Sequence, residues 1–231
     1  MIWPFTRKPR VDLPEAESRR LNALKSIKPP SSRTPLNEMR WVVVDVETGG
    51  LNPRTDPLLS IGAVEILGGQ INLGSGCEVR LRQETATSHD NILIHGLTDS
   101  QQLTGLPARE ALLQFAEFAQ VSPRVAFHAA FDRDALDTAF KKELGWHPAH
   151  HWLDAAVIAP LLFAQHAAKC RHLDDWLETL CIANFSRHSA VADAAATAQL
   201  WLILLDAARH QKLATLKDLE SLARSRHWLG T

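Results

Sequence analysis

Trp41-Val42-Val43-Val44-Asp45-Val46-Glu47-Thr48-Gly49-Gly50 is the stretch that decides how this chain is organised. Four apolar residues lead into two acids at alternate positions. In a strand, side chains at i and i+2 share a face, so Asp45 and Glu47 stand side by side at the end of a buried strand. Two close carboxylates repel, and burial makes each charge costly unless something positive compensates it. A divalent ion does so, and oxygen ligands suit magnesium or manganese. An exposed strand end with two solvated acids has the same pattern, so the motif needs partners elsewhere.

Around this stretch the apolar periodicity is that of an α/β body. Arg40 to Glu47, Leu58 to Leu67 and Gly76 to Leu81 read as three consecutive strands in a meander, with Gly68-Gly69 marking a turn. Pro107 to Gln120 has helical spacing, Arg124 to Phe127 is a short strand after Ser122-Pro123, and Phe131 to Leu144 is a helix ending at Gly145. His150 to Leu153 is a fifth strand leading into a helix from Asp154, followed by helices over Leu173 to Cys181, Ala190 to Ala208 and Leu213 to Arg226. A meander followed by alternating strands and helices predicts a mixed five-stranded sheet with helices on both faces.

The chain has 231 residues, 45% of them apolar, which suits one sizeable domain with appendages. No uninterrupted apolar run approaches the roughly 20 residues of a membrane span, and Met1 to Arg10 lacks the apolar centre of a secretory signal. Three cysteines, Cys77, Cys170 and Cys181, lack metal-finger spacing, so reduced thiols and a cytoplasmic location are expected. Residues 1–40 carry nine lysines and arginines against four acids, a balance of +5, while the rest carries 16 against 22, or −6. The basic arm suits a nucleic-acid backbone or a solvated tether. Pro29, Pro30, Ser31, Ser32, Thr34 and Pro35 read as a linker. The expected division is an extension at 1–38, with a helix possible over Pro14 to Ile27, a body at 39–210 and a C-terminal helix at 211–231 packed on it.

Two further acid clusters follow. Asp132 in Phe127-His128-Ala129-Ala130-Phe131-Asp132 opens a helix after a central strand, near the strand tips where open sheets place their ligands. A first-turn acid complementing the helix dipole is the plain alternative. Asp193 lies in the small-residue helix Ala192-Asp193-Ala194-Ala195-Ala196, which allows close approach to the sheet. His188, in the polar stretch Ser186-Arg187-His188-Ser189, is a side chain suited to taking a proton from water.

Together, Asp45, Glu47, Asp132, His188 and Asp193 resemble the Asp-Glu-Asp-Asp-His arrangement of the DnaQ-like 3′→5′ exonuclease family, which includes the proofreading epsilon subunit of bacterial DNA polymerase III. The likeness covers roughly Trp41 to Ala208. Val44 to Gly50 matches the first motif closely and His188 to Asp193 the third, while the second departs at His128, where Asn is commoner; His128 still offers a hydrogen bond. Ile94-His95-Gly96-Leu97-Thr98 is similar to the segment that lines the terminal nucleotide, and Asp154 to an acid that supports the site. The chain has no tyrosine, which leaves the histidine branch of the family.

The resemblance implies a ribonuclease H-like fold and hydrolysis with two Mg²⁺ or Mn²⁺ ions, releasing nucleoside 5′-monophosphates. Asp45 is expected to bridge the ions, Glu47 and Asp193 to complete one shell, Asp132 to hold the second ion, and His188 to activate water. Thr48, Gly49 and Gly50 are candidates for the 3′-hydroxyl, and Leu51, His95 and Leu97 for the terminal base. His128 and Phe131 complete the substrate set, although Phe131 equally suits the core. Arg54, Arg80, Arg82, Arg171 and Arg187 are available to phosphates, so binding should be salt-sensitive. The expected partners are single-stranded or frayed 3′ ends, DNA before RNA, and a replication polymerase; no membrane is expected. An RNA 3′-end trimming enzyme and a catalytically idle nucleic-acid or polymerase-binding module are the competing readings.

Overall fold

In the computed structural model, which describes residues 11–84, 103–183 and 189–229, the run from Trp41 becomes β1 (Trp41–Thr48), the middle strand of a five-stranded sheet. β2 (Leu58–Leu67) pairs antiparallel on one side of it and β3 (Gln70–Arg80) pairs antiparallel with β2. β4 (Arg124–Ala126) pairs parallel with β1 on the other side, and β5 (Trp152–Asp154) pairs parallel with β4. The order is β3-β2-β1-β4-β5, the mixed sheet that the periodicity predicts.

The sequence pattern starts the third strand at Gly76, six residues late. Gly68 and Gly69 both have positive φ, 59° and 74°, so the hairpin turns within two residues and Gln70 already pairs with Leu67. Asn72, Gly74, Ser75 and Gly76 interrupt the apolar alternation that identifies a strand. The fifth strand begins at Trp152, because His151 supplies only the carbonyl that accepts the Arg124 N–H.

Side-chain alternation along β1 divides the interior into two cores. Trp41 and Val43 join Val64 and Ile66 under α4 (Ala155–Leu162), α5 (Leu173–Thr179), α6 (Ala190–His210) and α7 (Leu216–Leu229). Val42, Val44 and Val46 join Ile61 and Ala63 under α1 (Glu15–Ser26), α2 (Ala108–Ala119) and α3 (Ala130–Leu144). Among the described residues α6 is the one helix long and apolar enough to cross a membrane. Asp193 and Gln199 hide that length from a count of uninterrupted runs. In the fold this apolar surface packs on β1 and β2, with Trp201 edge-to-face on Trp41 at 5.4 Å.

The N-terminal segment is part of this packing. Leu21 and Leu24 of α1 are buried in the second core, and Arg20 bridges Glu110 and Glu117 of α2, each at 2.6 Å. Further on, the Leu36 N–H donates to the Ala214 carbonyl (2.9 Å) and the Lys217 N–H to that of Ser32 (2.8 Å), tying this strap to the start of α7.

Candidate active site

The parallel strands β1, β4 and β5 all end at one edge of the sheet, the edge where such sheets accept ligands. Asp45 and Glu47 extend the Trp41-Val43 stripe on the face covered by α6. The pairing shifts directly after Glu47, which faces Ser60, whereas Thr48 faces Leu58. Such a bulge bends a strand and re-aims its side chains.

Asp193 arrives from the first turn of α6, and its arrival depends on Gly62. This residue pairs with Asp45 across β1 and β2. A Cβ at Gly62 would lie 2.0 Å from the Ala190 carbonyl carbon and 2.1 Å from the Val191 nitrogen, so the start of α6 rests on bare backbone. As a result, carboxylate oxygens of Asp45, Glu47 and Asp193 all lie within 4.8 Å of one another. The small residues of α6 anticipate this approach. Gly62 does not stand out in the sequence, because its position opposite Asp45 emerges only from strand register.

Asp132 stands behind this trio. It is 4% exposed, and its Oδ1 accepts the Val46 N–H at 3.1 Å, on the residue between Asp45 and Glu47. Burial pushes its carboxyl up to about 8, against hydrogen bonds from its own and the Val46 backbone N–H, with Asp154 and Glu47 adding to the rise. The Asp45 carboxyl is held well above its usual range by burial first, then by the charges of Asp132, Glu47 and Asp193. Four acids on three elements thus share one field, while Asp132 keeps one oxygen on the backbone.

The β4–α3 junction is built around Asp154. Its Oδ1 accepts the His128 N–H (3.0 Å) and, as cap of α4, the Ala156 N–H (2.9 Å). His128 has φ of 63°, left-handed backbone in which Asn and His are both enriched. The conformation of this position therefore accommodates either residue, whatever the ring contributes. The exposed His128 ring leans edge-on against Phe127 at 4.8 Å, and Phe131 packs against the second core.

In the turn after β1, Thr48 is buried and its hydroxyl donates to the Gly50 carbonyl at 2.7 Å. The Gly49 N–H donates to the Pro57 carbonyl at 2.8 Å, and Leu51 is 89% exposed beside them. A Cβ at Gly50 would meet the Asp56 carboxylate, 2.2 Å from Oδ2, and that same oxygen accepts the Asn52 N–H. His188, His95, Leu97 and Arg187 lie outside the described residues.

The donor set fits a hard divalent cation. Asp45, Glu47 and Asp193 offer oxygen alone, the chemistry that magnesium and manganese prefer. Burial first and the neighbouring carboxylates second pull Asp45 upward, and a divalent cation is the kind of charge that would relieve both.

The exonuclease family model RNase_T matches residues 42–201, most of the chain. A DNA polymerase III PolC-type protein of Thermotoga maritima is 29% identical over 192 residues, covering 83% of this chain and 14% of the relative. A DNA polymerase III subunit epsilon-like protein of Rhodobacter capsulatus is 31% identical over 189 residues, covering 80% and 26% respectively. The chain therefore spans about a quarter or less of these relatives. In fold it is similar to the nuclease domain of 3′hExo, a DEDDh family member bound to rAMP, with a TM-score of 0.63, 14% identity and 72% and 92% of the two chains covered.

Proposed function

The chain belongs to the RNase_T exonuclease family, whose members are metal-dependent nucleases, and from that premise we propose that it removes nucleotides from the 3′ end of single-stranded or frayed DNA as nucleoside 5′-monophosphates. The observation that carries the proposal is the meeting of Asp45, Glu47 and Asp193, with Asp132 behind them. These residues would hold two Mg²⁺ or Mn²⁺ ions. When bound, such a pair supplies positive charge to the attacking and leaving oxygens of an in-line displacement.

The chain's own groups do the rest. His188 takes the proton from the attacking water, a task suited to imidazole near neutral pH. The Thr48 hydroxyl, with its proton committed to Gly50, has lone pairs left for the terminal 3′-hydroxyl. The exposed Leu51, with His95 and Leu97, lies against the terminal base. Asp154 fixes the backbone at His128 and with it the start of the helix that carries Asp132. Names of the relatives support DNA as substrate and a replication polymerase as partner.

Matched 5′-labelled DNA and RNA single strands, incubated with Mg²⁺ or Mn²⁺, test the proposal. DNA should shorten stepwise from its 3′ end with release of 5′-monophosphates. Faster shortening of RNA would make the protein an RNA-trimming enzyme, and no release with either metal would leave a binding module. His188→Ala should slow the reaction by about 10²–10⁴-fold, the scale of a general base.

A further inference from the structure

A cleft of about 530 Å³ opens between the β4–α3 junction and α4. His128, at the junction that carries Asp132, lines it, and so does Arg171. The floor is the outer side of α4, formed by Ala156, Val157, Pro160 and Leu161. The opposite side of α4, Ala155, Ile158, Ala159 and Leu162, already fills the first core. A surface helix is normally apolar on one face only. Here the second apolar face is partly exposed and lines the cleft.

Past α4, residues 163–173 contain His166, Lys169, Arg171 and His172 and no acid. Lys169 and Arg171 are exposed, and neither has a carboxylate partner among the described residues. Arg54 and Arg80, by contrast, are engaged by Asp134 (2.7 Å) and Glu78 (3.1 Å). The nearby Asp175 directs one carboxylate oxygen to the backbone N–H groups of Arg171 and His172, at 2.8 Å each. Arg171 thus shares the cleft with an apolar floor, and the exposed Lys169 stands two residues before it, on a body that is otherwise net negative.

We propose that this cleft carries the nucleic-acid strand upstream of the terminal nucleotide. Bases lie on the outer face of α4, which tolerates any sequence, and Lys169 and Arg171 each neutralise a backbone phosphate. The proposal rests on the 3′-end reading above and adds the direction in which the strand leaves the site.

Binding of a fluorescein-labelled single-stranded 12-mer to the full chain, followed by anisotropy in EDTA across a salt series, tests it without turnover. Lys169→Ala/Arg171→Ala should bind about tenfold more weakly near 0.1 M salt and reduce the slope of log K against log salt by about 1.4, at roughly 0.7 per phosphate contact on a single strand. Lys141→Ala/Lys142→Ala removes equal charge at the far end of α3 and should leave affinity and slope unchanged. Equal losses in the two double variants, or an unchanged slope in the first, would overturn the proposal. Binding by the wild type with the expected loss in the first variant, but no hydrolysis once metal is added, would support this track while removing the exonuclease reading.

Discussion

Asp45 and Gly62 face each other across β1 and β2, and the residue without a side chain is what allows a third carboxylate to reach the first two. Ala190 and Val191 occupy the space a side chain at Gly62 would need. Gly62→Ala must lift the start of α6 or bend β2, since backbone atoms cannot rotate away. A loss of about 1–3 kcal/mol in urea unfolding is expected, the usual cost of overfilling a packed interior. Displacing Asp193 should also lower metal affinity and turnover. A variant with wild-type stability and rate would mean that Gly62 does not set the approach of α6.

Asp154 predicts a different failure. Asp154→Ala strips acceptors from both the His128 and the Ala156 N–H. Loss of the α4 cap alone costs about 0.5–2 kcal/mol. The left-handed backbone at His128 loses its anchor as well, so the exonuclease rate should fall further than stability implies. Asp154→Asn keeps an acceptor and should recover most of the rate. If both variants lost the rate equally, the carboxylate charge would matter more than the hydrogen bonds.

Local pattern made much of this molecule legible in the sequence. The buried strand ending in Asp45 and Glu47 could be read because strand alternation is written into five consecutive residues, and Asp132 and Asp193 because each opens a helix. Features that depend on pairing between distant segments could not be read in this way. Gly62 is one glycine among eleven until β1 and β2 are in register. The first half of β3 has polar and small residues where alternation should be, and its strand character comes from the hairpin with β2. The departure from Asn at His128 is explained by a backbone angle, which a sequence does not display. Asp132 joins the site through the Val46 N–H, a contact no spacing rule anticipates.

Arg124 offers a test away from the site. Its guanidinium is fully buried and, among the described residues, meets no hydrogen-bond acceptor, lying over the rings of Phe115 and Trp152 at 5.2 and 5.6 Å. Burial pushes it down to about 9, with Asp137 opposing the fall. Replacing even a buried ion pair by apolar groups of similar volume is often neutral or stabilising by about 1–4 kcal/mol, and among the described residues Arg124 has no ion pair to offset its desolvation. Arg124→Met should therefore equal or exceed the wild type in thermal unfolding, whereas Arg124→Ala, which empties the space between the rings, should fall below it. A strongly destabilised Arg124→Met would show that the charge itself is required.

His150, beside Trp146, supplies the pH dependence. Burial lowers its imidazole from 6.5 to about 3, with smaller contributions from Arg124 and His151. The unfolded chain thus takes up a proton near pH 6.5 that the folded chain refuses until about pH 3. Stability from this residue is complete above pH 6.5 and lost as the pH falls towards 3. The Asp132 carboxyl, raised to about 8, opposes this over the same range, so the test is the difference: His150→Gln should lose about one proton's worth of positive slope in unfolding free energy against pH between 6.5 and 4, relative to the wild type. An unchanged slope would mean that other groups govern acid unfolding.

The central claim is that Asp45 is the shared carboxylate of a metal site that hydrolyses 3′ ends. Its most direct test is the rate of mononucleotide release from a single-stranded DNA oligonucleotide in Mn²⁺, measured for the wild type and for Asp45→Asn, a nearly isosteric change. The wild type should release nucleoside 5′-monophosphates from the 3′ end and stop on addition of EDTA. Asp45→Asn should retain its circular dichroism and melting transition and lose turnover. A folded Asp45→Asn that kept most of the wild-type rate would contradict the claim.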